Sequence, residues 1–140
     1  MIAIALLLTL VVGAIAALHA YWGLGGLWPA SDEATLARAV IGDGRSRMPP
    51  PSQCFAVALL LAVVAAWPWL VVTMPASRTV MVVLMIIVAV FFIRALASFS
   101  ARWRSHFPAQ PFATNDRRFY GPLCFTLSAG YAAMMGGMET

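Results

Sequence analysis

The sequence predicts an all-α integral membrane protein, a four-helix bundle with both termini on the non-cytoplasmic side. Three observations carry this. Of 140 residues, 62% are hydrophobic and only 10% are charged, against roughly a quarter charged in an ordinary soluble domain. The apolar residues gather into four runs of about 20, the length that crosses a hydrocarbon core as a helix. Most of the charges lie in the two long connections between those runs. The length suits a single membrane domain, residues 1–140.

The first span covers residues 2–22. No basic residue precedes it, and the apolar run is longer than the 7–15 residues usual in a signal peptide, so it is expected to be retained. The second span, residues 54–74, contains Pro68 in WPWL, which frees one backbone carbonyl within the helix. The third covers residues 79–99. The turn MPASR, residues 74–78, is so short that spans two and three are expected to form a tight antiparallel hairpin. The fourth, residues 122–138, is the shortest and least apolar, with Pro122 in its first turn.

The first long connection, residues 29–53, carries the signals of a short interfacial helix. Ser31 can N-cap it, Asp32 and Glu33 suit the positive end of its dipole, and Gly42 can end it. Leu36, Val40 and Ile41 would form its apolar face. RSRMPPPSQ then reads as an extended, proline-stiffened return.

Arginine sets the orientation. Arg38, Arg45 and Arg47 lie in the first long connection and Arg102, Arg104, Arg117 and Arg118 in the second, whereas the opposite side holds only Arg78. The positive-inside rule makes both long loops cytoplasmic. Cys54 and Cys124 then start their helices on the reducing side and are expected as free thiols. The arginines are scattered between apolar runs, with no soluble domain to build a nucleic-acid groove. Anionic lipid headgroups are the expected counter-charge, and nucleic acid is not an expected partner.

Lipid gives helices no hydrophobic reason to associate, so small residues must let backbones approach. Ser128, Ala132 and Gly136 recur at helical spacing, as do Ala58, Ala62 and Ala66, and Gly13 and Ala17. These stripes suit neighbours within one bundle, a partner membrane protein or a homodimer.

Polar groups at membrane depth are costly and are therefore candidates for function. His19 lies one turn before the end of span one, Arg94 within span three and Asp116 before span four, all toward the cytoplasmic face. These three are the candidate catalytic residues, with His19 as acid/base and Arg94 as anion holder. Each also has an ordinary role open to it. His19 can bond a backbone carbonyl or Asp116, and Arg94 can snorkel to the interface or pair with Asp116 or a lipid phosphate. Tyr21, Trp22, Trp28, Trp103 and Tyr120 fit an interfacial aromatic belt. No span contains Asp or Glu, which counts against a proton-coupled transporter. No metal-ligand cluster is apparent, and a haem held by His19 and His106 would need His106 on a helix facing His19 rather than in a proline-flanked loop. No cofactor or metal is expected.

Two blocks carry a resemblance. His19, Tyr21, Trp22, Gly25 and Gly26 match H-x-Y-W-x-x-G-G; Asp116, Tyr120, Pro122, Leu123 and Cys124 match an aspartate followed by Y-S-P-L-C, with Gly121 in place of the serine. Together they resemble a bacterial domain-of-unknown-function family of small four-helix membrane proteins. The resemblance implies fold and inner-membrane location, and adds Tyr21, Trp22, Gly25, Gly26 and Tyr120 to His19, Arg94 and Asp116 as binding candidates, with Trp28 beside them in the aromatic belt. It implies no activity. The expectation is a multi-pass inner-membrane protein that holds a lipid or partner without catalysis. The alternatives are an enzyme acting on a lipid-like substrate at the cytoplasmic interface, and a small transporter or channel.

Overall fold

The computed structural model describes residues 1–75 and 77–137. Position 76, within the expected 74–78 turn, and Met138, the end of the expected fourth span, lie outside the described residues. The described residues are helical, without strands. The elements are α1 (Ile2–Gly23), α2 (Glu33–Val40), α3 (Pro51–Thr73), α4 (Arg78–Ala97), α5 (Ala101–His106), α6 (Phe112–Asn115), a π-helical turn (Asp116–Tyr120) and α7 (Gly121–Gly136). Three of them, α1, α3 and α4, are long and apolar enough to cross a membrane, with mean hydropathy of 2.5, 2.5 and 2.9. Their outward faces stay apolar: Leu7, Leu10, Leu59 and Ile93 are each more than 60% exposed. Lipid is the solvent that such faces match.

Helix α7 is shorter, yet helical backbone begins well before it. Asn115, Asp116, Tyr120 and Gly121 all keep right-handed helical dihedrals, so residues 112–136 form one unbroken helical stretch. Within it the Gly121 N–H reaches the Asp116 carbonyl, five residues back, which widens one turn. Helix α3 begins at Pro51, where a missing N–H costs nothing in the first turn.

Packing does not follow chain order. Helices α3 and α4 follow one another directly but touch little; the Trp67 indole bridges them, donating to the Val80 carbonyl at 3.3 Å. The extended packing is α1 along α3 and α4 along α7. The expected close hairpin of spans two and three is therefore corrected to a connection between two helix pairs. The physical reason is residue size: α3 buries Ala58 and Ala65, which let a backbone come close, whereas a tryptophan stands between α3 and α4.

Contacts fix the direction of each pair. Thr9 meets Ala65 and Gly23 meets Phe55, so α1 and α3 are antiparallel. Ser128 meets Val88 and Gly121 meets Ser98, so α4 and α7 are too. Gly130 lies against Leu8 and Gly137 against Met1, which joins the pairs. Both long connections thus share one end and the start of α1 shares the other with the end of α7.

The middle is filled by Ala5, Leu8, Val12, Ala65, Leu84, Ile87, Leu127, Tyr131 and Met134. Polar groups at this depth are satisfied across helices. Pro68 has no N–H for the Val64 carbonyl, and the Tyr131 hydroxyl on α7 donates to that oxygen at 2.8 Å. Thr9 donates to the Ala65 carbonyl and accepts from the Trp69 indole, and Ser128 donates to the Val88 carbonyl. The proline-induced gap has become a fastening between α3 and α7.

Candidate functional site

The end that carries the long connections is built by short elements. Asp32, rather than the expected Ser31, caps α2: its carboxylate accepts from the Thr35 N–H and hydroxyl at 2.9 and 2.8 Å. Asp32 has the longer reach, and the Ser31 hydroxyl donates to it instead. Those Thr35 hydrogen bonds hold the Asp32 carboxyl below its ordinary range. Gly42, at φ +81°, ends the helix with the Phe112 ring against its α-carbon, where a Cβ would clash. The Ala109 N–H donates to the Gly42 carbonyl and the Tyr120 hydroxyl to the Ala39 carbonyl at 3.3 Å. Helix α2, with Leu36 and Ala37 buried, is thereby docked on the second connection.

Arg94 and Asp116 come together. Arg94 Nη2 donates to Asp116 Oδ1 at 2.5 Å, and Nη1 to Ser98 Oγ at 2.7 Å. The other carboxylate oxygen accepts from Trp103 Nε1 at 2.9 Å. The Arg94 guanidinium also lies over the Trp103 ring, 4.8 Å from its centroid. Asp116 is 2% exposed, whereas the Arg94 side chain keeps 30%. Each carboxylate oxygen has a donor, so the cluster has the character of a clasp from α4 through α5 to the π turn. Gly121 fits here by size: a Cβ would lie 2.8 Å from Ser98 Cβ, too close without a shift.

Trp103 is therefore more than a belt residue. It sits on α5, capped by Ser100 accepting from the Trp103 N–H. The S-x-x-W spacing and Pro108 beyond it were the available helix signals. His106 also lies on this helix, exposed, with Nδ1 bonded to the Arg102 carbonyl.

His19 stands apart from that clasp. Its Nδ1–H donates to the Ile15 carbonyl at 2.8 Å, which leaves Nε2 as the acceptor in the neutral ring. It meets Trp22 edge-to-face and borders a cavity of about 170 Å³ lined also by Ile41, Met48, Gln53 and Cys54. Neither Arg94 nor Asp116 lines that cavity. The structure brings Arg94 and Asp116 together and does not bring His19 to them.

The remaining candidates form a helix stop. Gly25, at φ +91°, donates to the Trp22 carbonyl and Gly26 to the Tyr21 carbonyl, both at 3.0 Å, the crossed pair of bonds that closes a helix C-terminus. The Tyr21 ring lies on Gly26 so closely that a Cβ has no room. The Trp22 indole donates to the Trp28 carbonyl at 2.8 Å. Tyr21 and Trp28 remain exposed.

Two further features were not singled out in the sequence. An apolar groove of about 630 Å³ runs along α1 and α3, lined by Gly13, Ala17, Ala20, Ala58, Ala62 and Ala66, with Phe55 and Trp69 among its walls. A Cβ on Gly13 would meet nothing. A second cleft of about 580 Å³ lies among Arg104, Gln110, Thr114, Arg117 and Arg118. Residues 12–131 match a family model described as Protein of unknown function (DUF3995). No curated protein and no solved structure matches the chain.

Proposed function

Starting from a chain that belongs to this DUF3995 family of proteins of unknown function, we propose that it is a four-span inner-membrane protein that holds a lipid without transforming it. The fourth span is α7, and the helical stretch before it lies at the headgroup level. Both long loops are cytoplasmic, because the end they share carries Arg38, Arg45, Arg47, Arg102, Arg104, Arg117 and Arg118.

The groove between α1 and α3 carries this reading. From Thr9 to Ala20 it extends about 16 Å at ~1.5 Å per residue, on the scale of much of an acyl chain. Its small side chains leave apolar space on the outside of a helix pair, where a chain can enter sideways from the bilayer. The polar clusters support binding over catalysis. Asp116 is committed to Arg94 and Trp103, and His19, the candidate acid/base, borders a different cavity. The filled middle, with its hydroxyls and indoles bonded to carbonyls and one another, likewise speaks against a polar path for transport.

The test is native mass spectrometry of the full chain released from membranes. Retained phospholipid is expected on the unmutated protein and a several-fold loss on Gly13→Leu/Ala62→Leu, which fills the groove. Equal retention by both would remove the groove from the account. A copurifying polypeptide lost with the same substitutions would assign the groove to a partner helix.

A further inference from the structure

The second cleft has a different chemistry. It lies between the end of α5 and the helical stretch from α6 into the π turn, and Arg104, Arg117 and Arg118 converge on it. All three are exposed, and none forms an ion pair among the described residues. Gln110 is oriented within the same cleft. Its Oε1 accepts from both the Thr114 N–H and hydroxyl, at 3.2 and 2.8 Å, so the polar group it has left is the Nε2 donor. No carboxylate among the described residues lines the cleft; nearby Asp116 is engaged by Arg94 and Trp103. Three guanidinium forks and an amide donor, with no facing acid among the described residues, form a lining suited to a phosphate oxyanion.

Phe119 is 55% exposed and carries the Arg118 guanidinium over its ring at 5.4 Å. An apolar ring beneath a cation, two residues before the start of α7, belongs at the headgroup level. We propose that the Arg104–Arg117–Arg118 cleft binds the phosphoryl group of an anionic headgroup, as a site separate from the acyl groove. It rests on the membrane placement above but not on the groove. The same chemistry is offered by a free phosphate, so the experiment must separate the two sources.

The full chain is placed in nanodiscs of phosphatidylcholine, with or without phosphatidylglycerol, and the bound lipid is counted by native mass spectrometry. Enrichment of phosphatidylglycerol is expected on the unmutated protein. Each of Arg104→Gln, Arg117→Gln and Arg118→Gln should weaken it about fivefold. The triple variant Arg38→Gln/Arg47→Gln/Arg102→Gln removes the same charge from the same end and should weaken it far less than the triple variant Arg104→Gln/Arg117→Gln/Arg118→Gln. A parallel titration with inorganic phosphate uses discs of phosphatidylcholine alone. Saturable phosphate binding lost with the three cleft arginines, without phosphatidylglycerol enrichment, would support the oxyanion site and assign its ligand to a soluble phosphate. Equal losses in the two triple variants, or no dependence of either ligand on the cleft arginines, would overturn the proposal. Groove failure shows separately, because Gly13→Leu/Ala62→Leu leaves all three cleft arginines in place.

Discussion

The Tyr131 hydroxyl should be worth more than a typical hydrogen bond in a membrane protein, because proline leaves its acceptor with no intrahelical donor. Tyr131→Phe keeps the ring, fully buried and stacked on Phe91, and removes only the donor to Val64. Interhelical hydrogen bonds in membranes average about 0.6 kcal/mol, since a freed group usually finds another partner. Here Pro68 denies the Val64 carbonyl its usual helical partner, so the cost should approach the penalty for an unsatisfied buried acceptor, about 1–2 kcal/mol. At roughly 3 °C per kcal/mol for a chain of this size, Tm falls by about 3–6 °C. The decisive measurement is the double-mutant cycle with Pro68→Ala, which returns an N–H to the helix. In that background Tyr131→Phe should cost at most about 0.5 kcal/mol, a coupling on the order of 1 kcal/mol. Equal costs in both backgrounds would show that Pro68 adds nothing to the Tyr131 hydrogen bond.

Two further outcomes follow from the end that carries the long connections. Asp116→Ala leaves Arg94 half-buried without its counter-charge. It should cost about 3 kcal/mol, the low end of the range for breaking a buried pair because Arg94 is partly solvated, while Arg94→Met/Asp116→Leu should cost less than Asp116→Ala alone by thermal unfolding. Asp32 is held below its ordinary pKa of 3.8 by Thr35, so its contribution to α2 is complete above that value. It should disappear as pH falls through the lowered pKa, read as faster amide exchange of α2 that Asp32→Ala shows already at neutral pH.

The apolar runs declared the long helices because length and hydropathy are local properties. The pairing of Arg94 with Asp116 was among the partners foreseen, since a cation at that depth has few to choose from. Which helices would pack was not legible. Helices apolar on every side have no preferred face, and the short connection between α3 and α4 pointed to the wrong pair. Trp103 reads equally well as belt or as donor until α5 aims its indole at Asp116. Tyr131 and Pro68 are far apart in sequence, so nothing local says that one hydroxyl answers the other's missing N–H. Gly25 and Gly26, counted as binding candidates, form a helix stop, a role that their spacing after Tyr21 and Trp22 did contain. The groove required three dimensions: its small residues read as packing stripes, and only the structure shows Gly13 facing open space.

The most direct measurement is photocrosslinking with a phospholipid bearing a diazirine along its acyl chain, followed by peptide mapping. Labels are expected to concentrate on residues 9–20 of α1 and 55–69 of α3 and to be abolished by Gly13→Leu/Ala62→Leu. Labels spread evenly over the exposed faces of α1, α3 and α4, unchanged by those substitutions, would contradict a lipid-holding groove.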